Sequence, residues 1–160
     1  GHKISGIRWD DIHFNDSEYE KWAAYGQSKT AASLLAVEVD KRMKDSGVRA
    51  FGVHPGGIMT PLQRHLEQEE MVALGWMDKD GQPTERVAKM FKSATQGAST
   101  TLWAATSPQL DGIGGVYCEN CEVAAPTDDG ENARFIGVND WAVDSDEASR
   151  LWDETEHMLS

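Results

Sequence analysis

Tyr25 and Lys29 stand four residues apart in the stretch YGQSK, inside a run rich in helix formers. Residues at i and i+4 share one face of a helix, so the ammonium can lie close to the phenol. A free tyrosine ionises near pH 10, too high for proton transfer at neutral pH. A nearby cation favours the phenolate and brings the group into range. The spacing therefore suits a tyrosine general acid/base with a lysine partner. Taken alone, such a pair more often only decorates a helix surface. A second candidate is HPGGIMT, residues 54–60, where Pro55 and Gly56 end an apolar run and Ile58 and Thr60 follow. A loop leaving the C-terminal end of a parallel strand is where α/β sheets bind ligands. An ordinary strand-end turn has the same composition.

Other chemistry fits less well. Cys118 and Cys121 form a C-x-x-C pair with no second pair to complete a zinc site, and His157 is the nearest histidine in sequence. They fall at the end of an expected strand, whereas redox dithiols sit at helix N-termini, so a packing role is expected and no metal is assigned. His2, His13, His54, His65 and His157 show no metal-ligand spacing and read as capping, packing or solvent residues. The glycines of GIGG, 112–115, precede a strand; a dinucleotide cradle follows one.

The elements that must position these residues read as follows. A helix is expected from about Ser17 to Ser46, opened by a Ser17/Glu20 capping box and stopped at Gly47. Its apolar residues are Trp22, Leu34, Leu35, Val37 and Val39. VRAFGVHPGG, 48–57, reads as a buried strand running into a loop. Residues 61–83 read as a lid-like insertion with a short helical piece at 63–74. Met59, Met71, Leu74, Trp76 and Met77 give it an apolar character. A long helix is expected over about 84–106, with Val87, Met90, Phe91, Ala94, Ala98, Leu102 and Ala105 inward. GIGGVYCE reads as turn and strand, 125–140 as a polar connection, and 145–159 as an amphipathic helix. Alternating helices and buried strands mean an α/β layered sheet. Two strands cannot cover two helix layers, so the pattern is that of half a doubly wound fold.

Composition narrows the partners. The 160 residues carry a formal net charge of −12, with Arg134 and Arg150 the only basic Lys or Arg after Glu119. Such a chain is poorly suited to nucleic acid or to anionic membrane surfaces. No apolar run nears the roughly 18 residues of a membrane span, and no signal peptide is visible. With two cysteines, a soluble, reducing, cytoplasmic setting is expected. Gly1 and His2 read as a tag remnant or as the start of the remainder of a longer chain.

Taken together, AAYGQSKTAASLL, HPGGIMT, GGVYCE and the closing GVNDWAVDSDEASRLWDETEHML resemble, in order and spacing, the short-chain dehydrogenase/reductase family, in its retinol-dehydrogenase-like branch. The resemblance spans the chain but only the second half of the family's fold. It implies the C-terminal half of a doubly wound, Rossmann-type parallel sheet in three α/β/α layers, one domain fragment over 1–160. It implies hydride transfer between NAD or NADP and an alcohol/carbonyl pair. Tyr25 matches the catalytic acid/base, and Lys29 the lysine that lowers its pKa and holds the nicotinamide ribose. Pro55, Gly56, Ile58 and Thr60 match the loop that covers the nicotinamide and reaches the diphosphate. The family's glycine-rich turn and its NNAG element are not in this sequence, and its catalytic serine would fall just before Gly1. The implied partners are an apolar alcohol or carbonyl substrate, the N-terminal half of the same protein, and further copies in a homo-oligomer. The alternative expectation is a non-catalytic binding or assembly module on the same scaffold.

Overall fold

The computed structural model describes residues 1–127, 130 and 135–160. An N-terminal segment leads to the long helix α1, Lys21–Met43, and then to strand β1, Phe51–His54. Two short helices follow, α2 (Gln68–Ala73) and α3 (Glu85–Met90), and then α4, Ala94–Thr106. Strands β2 (Val116–Glu119) and β3 (Glu122–Val123) precede the last helix, α5, Ser145–Leu159.

The sheet is mixed, in the order β1-β2-β3. β1 and β2 run parallel, with Phe51 opposite Val116 and His54 opposite Glu119, so both strands end at the same side of the sheet. The third strand corrects the two-strand reading. β3 folds back antiparallel on β2 through Asn120 and Cys121, both at positive φ (51° and 60°). Two left-handed central residues make the tight hairpin turn whose twist matches the strands. Asn accepts that conformation readily but Cys does not, so the sequence gives no Asn-Gly signal.

Side-chain alternation along the strands sorts the packing. Phe51, Val53, Val116 and Cys118 meet Ala104 of α4 and Leu110. Tyr117 clusters with Ala124, Val138 and Ala142 instead. Gly52 lets α1 approach β1, since a Cβ there would fall 2.8 Å from the Tyr117 ring and 3.1 Å from the Ser33 hydroxyl. α1 also packs on α5 through Leu34, Val37 and Ala148. Glu38, buried on α1, binds Arg42 (2.6 Å) and Ser149 of α5 (2.9 Å), so its charge is compensated.

Helix boundaries differ from the expectation in two places. α1 begins at Lys21 because the Glu20 carboxylate accepts the Trp22 and Ala23 N–H groups; Ser17 is spent on Arg8 and Asp11. The expected 84–106 helix is broken. Phe91 is extended, and Ser93 restarts the chain with its own capping box to Gln96. The face of α4 that is buried is Gly97, Thr100 and Ala104, while Leu102 is exposed. At Met43 α1 gives way to a 3₁₀ turn, Lys44–Ser46, and Gly47 ends that turn in a left-handed conformation at φ 77°. Part of the 125–140 connection, including Arg134, lies outside the described residues.

Candidate functional site

The middle of YGQSK explains how the Tyr25–Lys29 pair is placed. Gly26 is buried where the N-terminal segment crosses α1; a Cβ there would lie 2.7 Å from Ile4 and 2.8 Å from the Ser5 nitrogen. Thr30, fully buried, donates to the Ser5 carbonyl at 2.6 Å. Gln27 accepts the Arg8 N–H (2.8 Å) and donates to the Ile12 carbonyl (2.9 Å). Gly26, Gln27 and Thr30 thus hold residues 4–12 against the helix, and the sequence reading missed all three. Their types, a glycine, an amide and a hydroxyl gathered on the helix, are the signal of a close backbone crossing.

Tyr25 and Lys29 point out from that crossing. The Lys29 ammonium lies 5.3 Å from the Tyr25 ring centre, and the Trp22 ring meets Tyr25 edge to face at 5.9 Å. Gly1 sits directly on the pair: a Cβ there would fall 2.5 Å from the Lys29 stem and 3.1 Å from the Tyr25 ring.

The HPGGIMT residues form a second group, at the end of β1. Gly56 (φ 94°) is covered by the Lys92 side chain, 2.8 Å from where a Cβ would be, and Lys92 donates to the Asn120 side chain at 2.7 Å. The Lys92 N–H donates to the Gly57 carbonyl (2.8 Å), and Phe91 packs on Gly57. Ile58 rests on Gly97 of α4, with the Pro55 carbonyl nearby. Thr60 caps the following turn, its hydroxyl accepting the Leu62 N–H and donating to Gln63. Tyr25 and Lys29 are thus in direct contact with each other, while Pro55, Gly56, Ile58 and Thr60 are held by α4, Lys92 and the 61–65 turn.

His2, for which a tag remnant and a packing residue both stood open above, is 3% exposed and packs. The Asn139 N–H donates to its Nε2 at 3.3 Å, so the neutral ring carries its proton on Nδ1 and gives it to the Tyr117 hydroxyl at 3.2 Å. Burial above all, with the charges of Lys3 and His54 beside it, pushes His2 down to about 4. Burial above all, with Lys92 and Lys3 beside it, brings His54 to about 4 as well. Both histidines bind fewer protons folded than unfolded between pH 4 and 6.5, so stability is complete above that window and is lost as pH falls through it. The complete protein should melt at progressively lower temperature from pH 6.5 to 4.5, and His2→Asn should flatten the slope. The depressed carboxyls of Asp40 and Glu38 act below that range. A melting temperature independent of pH in wild type contradicts the assignment.

The cysteines are free; Cys118 is fully buried, and burial pushes its thiol up. Among the described residues no cluster of three His, Cys, Asp or Glu side chains could hold a metal. Gly114 has no phosphate role in view; it is packed on the Asp40–Arg49 ion pair. Among the described residues no helix is long and apolar enough to cross a membrane.

No family model matches the chain. Curated relatives do. The chain is 37% identical over 160 residues to the short-chain dehydrogenase/reductase prx1 of Penicillium roqueforti, covering all of this chain and 44% of that protein. It is 39% identical over 152 residues to a probable oxidoreductase of Streptomyces lividans, covering 95% of this chain and 50% of the relative. It is 29% identical over 158 residues to retinol dehydrogenase 12 of Mus musculus, covering 99% and 42%. The chain matches the C-terminal half of short-chain dehydrogenase/reductases. It spans about half the length of these relatives. A crystal structure of an uncharacterised protein from Mycobacterium paratuberculosis shares the fold, with a TM-score of 0.57 at 22% identity over 98% of this chain and 46% of that one. A partial Rossmann-like α/β fold is consistent with that likeness and with the parallel β1–β2 pair.

Proposed function

We infer that this chain is the substrate-side half of a short-chain oxidoreductase that interconverts an alcohol and a carbonyl using NAD or NADP. The observation that carries the reading is the seating of Gly1 on the Tyr25 ring and the Lys29 stem. The residue preceding Gly1 in a longer protein emerges beside the pair, which is where the family's serine belongs. In this reading the N-terminal half of the same protein completes a three-layer, doubly wound sheet and brings the glycine-rich turn. The whole works as a cytoplasmic homo-oligomer.

The residues present fit the nicotinamide end of such a cofactor. Tyr25 and Lys29 are exposed, and the backbone at Pro55–Ile58 leaves the C-terminal end of β1. When bound, the dinucleotide supplies or accepts the hydride. Tyr25 then gives its phenolic proton to the carbonyl oxygen, or takes one from the alcohol. Lys29, whose ammonium lies against the Tyr25 ring, would hold the ribose. The Thr60 hydroxyl would be the group that holds the diphosphate. Met59, Met71, Leu74, Trp76 and Met77 make the substrate side apolar.

Lys29→Met in the complete protein tests the pair. Cofactor Kd should rise about tenfold or more and turnover should fall with it. Unchanged Kd and turnover favour the non-catalytic module.

A further inference from the structure

We propose that Glu70 is a positioning residue: it latches the segment between β1 and α4 onto the first turn of α1 and, through the Trp22 indole, fixes the wall against which Tyr25 stands. Glu70 lies on α2. Its two carboxylate oxygens take different donors from α1, the Lys21 ammonium on Oε2 at 2.5 Å and the Trp22 indole N–H on Oε1 at 3.1 Å. Among the described residues these are the hydrogen bonds that join α2 to α1, across 49 and 48 positions of sequence. Trp22 in turn meets the Tyr25 ring edge to face.

The rest of the segment is tied elsewhere. Its root is closed by the Ile58–Lys92 bridge and by Phe91 on Gly57. Inside it, Thr84 binds the Gly75 and Trp76 carbonyls, and Trp76 packs on Phe91. Arg86 of α3 lies over Phe135. So the segment is a braced unit with a fixed root, and Glu70 is its attachment to the Tyr25 helix.

An exposed Lys–Glu pair alone contributes little. This carboxylate differs because its side chain is only 19% exposed and a half-buried indole donor shares it. Releasing it leaves the Trp22 N–H without its partner, and that donor then seeks water at the edge of the Tyr25 ring. The consequence is on substrate capture: the segment opens more often, and the substrate is held less well while Tyr25 itself is unchanged. The kinetic half of this inference rests on the function proposed above; the mechanical half does not.

The experiment uses the complete protein and the variants Glu70→Ala, Glu70→Gln and Trp22→Phe, each with a melting temperature within a few degrees of wild type. Amide exchange is followed by mass spectrometry over residues 66–77, with no ligand added. Steady-state rates are taken with a series of medium-chain and aromatic aldehydes and reduced dinucleotide. Exchange in α2 should quicken at least tenfold in Glu70→Ala and less in Glu70→Gln, which still accepts from the indole. KM should rise about tenfold in Glu70→Ala with kcat within about threefold, and Glu70→Gln should recover part of the loss. Unchanged exchange in Glu70→Ala, or a fall in kcat at constant KM, overturns the latch. If Tyr25→Phe keeps its activity while Glu70→Ala still quickens exchange, the latch stands and the role of Tyr25 falls.

Discussion

Tyr25→Phe in the complete protein is expected to lower turnover by roughly 10²–10⁴-fold, the usual contribution of a general acid/base group. The substitution removes one hydroxyl and keeps the ring, so the edge-to-face contact with Trp22 and the Lys29 ammonium over the ring should both persist. Helix α1 should not notice the change, because its core contacts are Leu34 and Val37 and its crossing with residues 4–12 uses Gly26 and Thr30. Circular dichroism and melting temperature should therefore match wild type, and the loss should fall on kcat rather than on cofactor Kd. Near-wild-type turnover in this variant would reduce the pair to helix decoration and make the binding-module reading the better one.

The second large effect concerns the dinucleotide. The 160-residue chain by itself should bind NADH or NADPH no tighter than about 1 mM, or roughly −4 kcal/mol. In the proposed function, Tyr25, Lys29 and the 55–58 backbone would serve the nicotinamide end of the cofactor. Diphosphate and adenosine binding normally come from a glycine turn at a helix N-terminus and an acidic residue beyond it. The glycines that come nearest in sequence are committed otherwise: Gly114 packs on the Asp40–Arg49 pair, and Gly115 leads into β2 at φ 67°. The complete protein should bind in the micromolar range, about a thousandfold better. Calorimetric titration of both decides the matter, and a micromolar constant for the short chain would sink the assignment of the cofactor's other end to the upstream half.

Much of the fold could be read from residue pattern. The run 48–57 is apolar and ends in Pro-Gly-Gly, and β1 lies inside it. Gly47 after three basic residues marked the end of the 3₁₀ turn that follows α1, and Ser145–Leu159 was visible as a helix from Leu151, Trp152 and Met158, although Met158 is exposed. The misses have local causes. Ser17 and Glu20 compete for one role, and the carboxylate nearest the free N–H groups takes it. The break at Phe91–Ser93 is imposed by β1's loop, because the Lys92 N–H is needed by Gly57 and Phe91 covers that glycine. Propensity along 84–106 carries no trace of that partner. At the site, the four-residue spacing of Tyr25 and Lys29 was legible because one helix holds both. The linkage of Gly1 to that pair, and of Glu70 to Trp22, joins residues far apart in sequence, which no local pattern encodes.

The hairpin at Asn120–Cys121 has a consequence for how this sheet can be extended. β3 is two residues long and lies along the outer side of β2, with both of its residues exposed. So short a strand offers an incoming chain almost no backbone to pair with, which blunts that side against unwanted association. On the opposite side, β1 pairs, among the described residues, with β2 alone, and Phe51 and Val53 line an open groove of about 500 Å³ together with Ala104, Ala105 and Leu110. The sheet is thus closed off at β3 by a strand too short to pair further, while among the described residues the side of β1 is left for the N-terminal half that the proposed function places there.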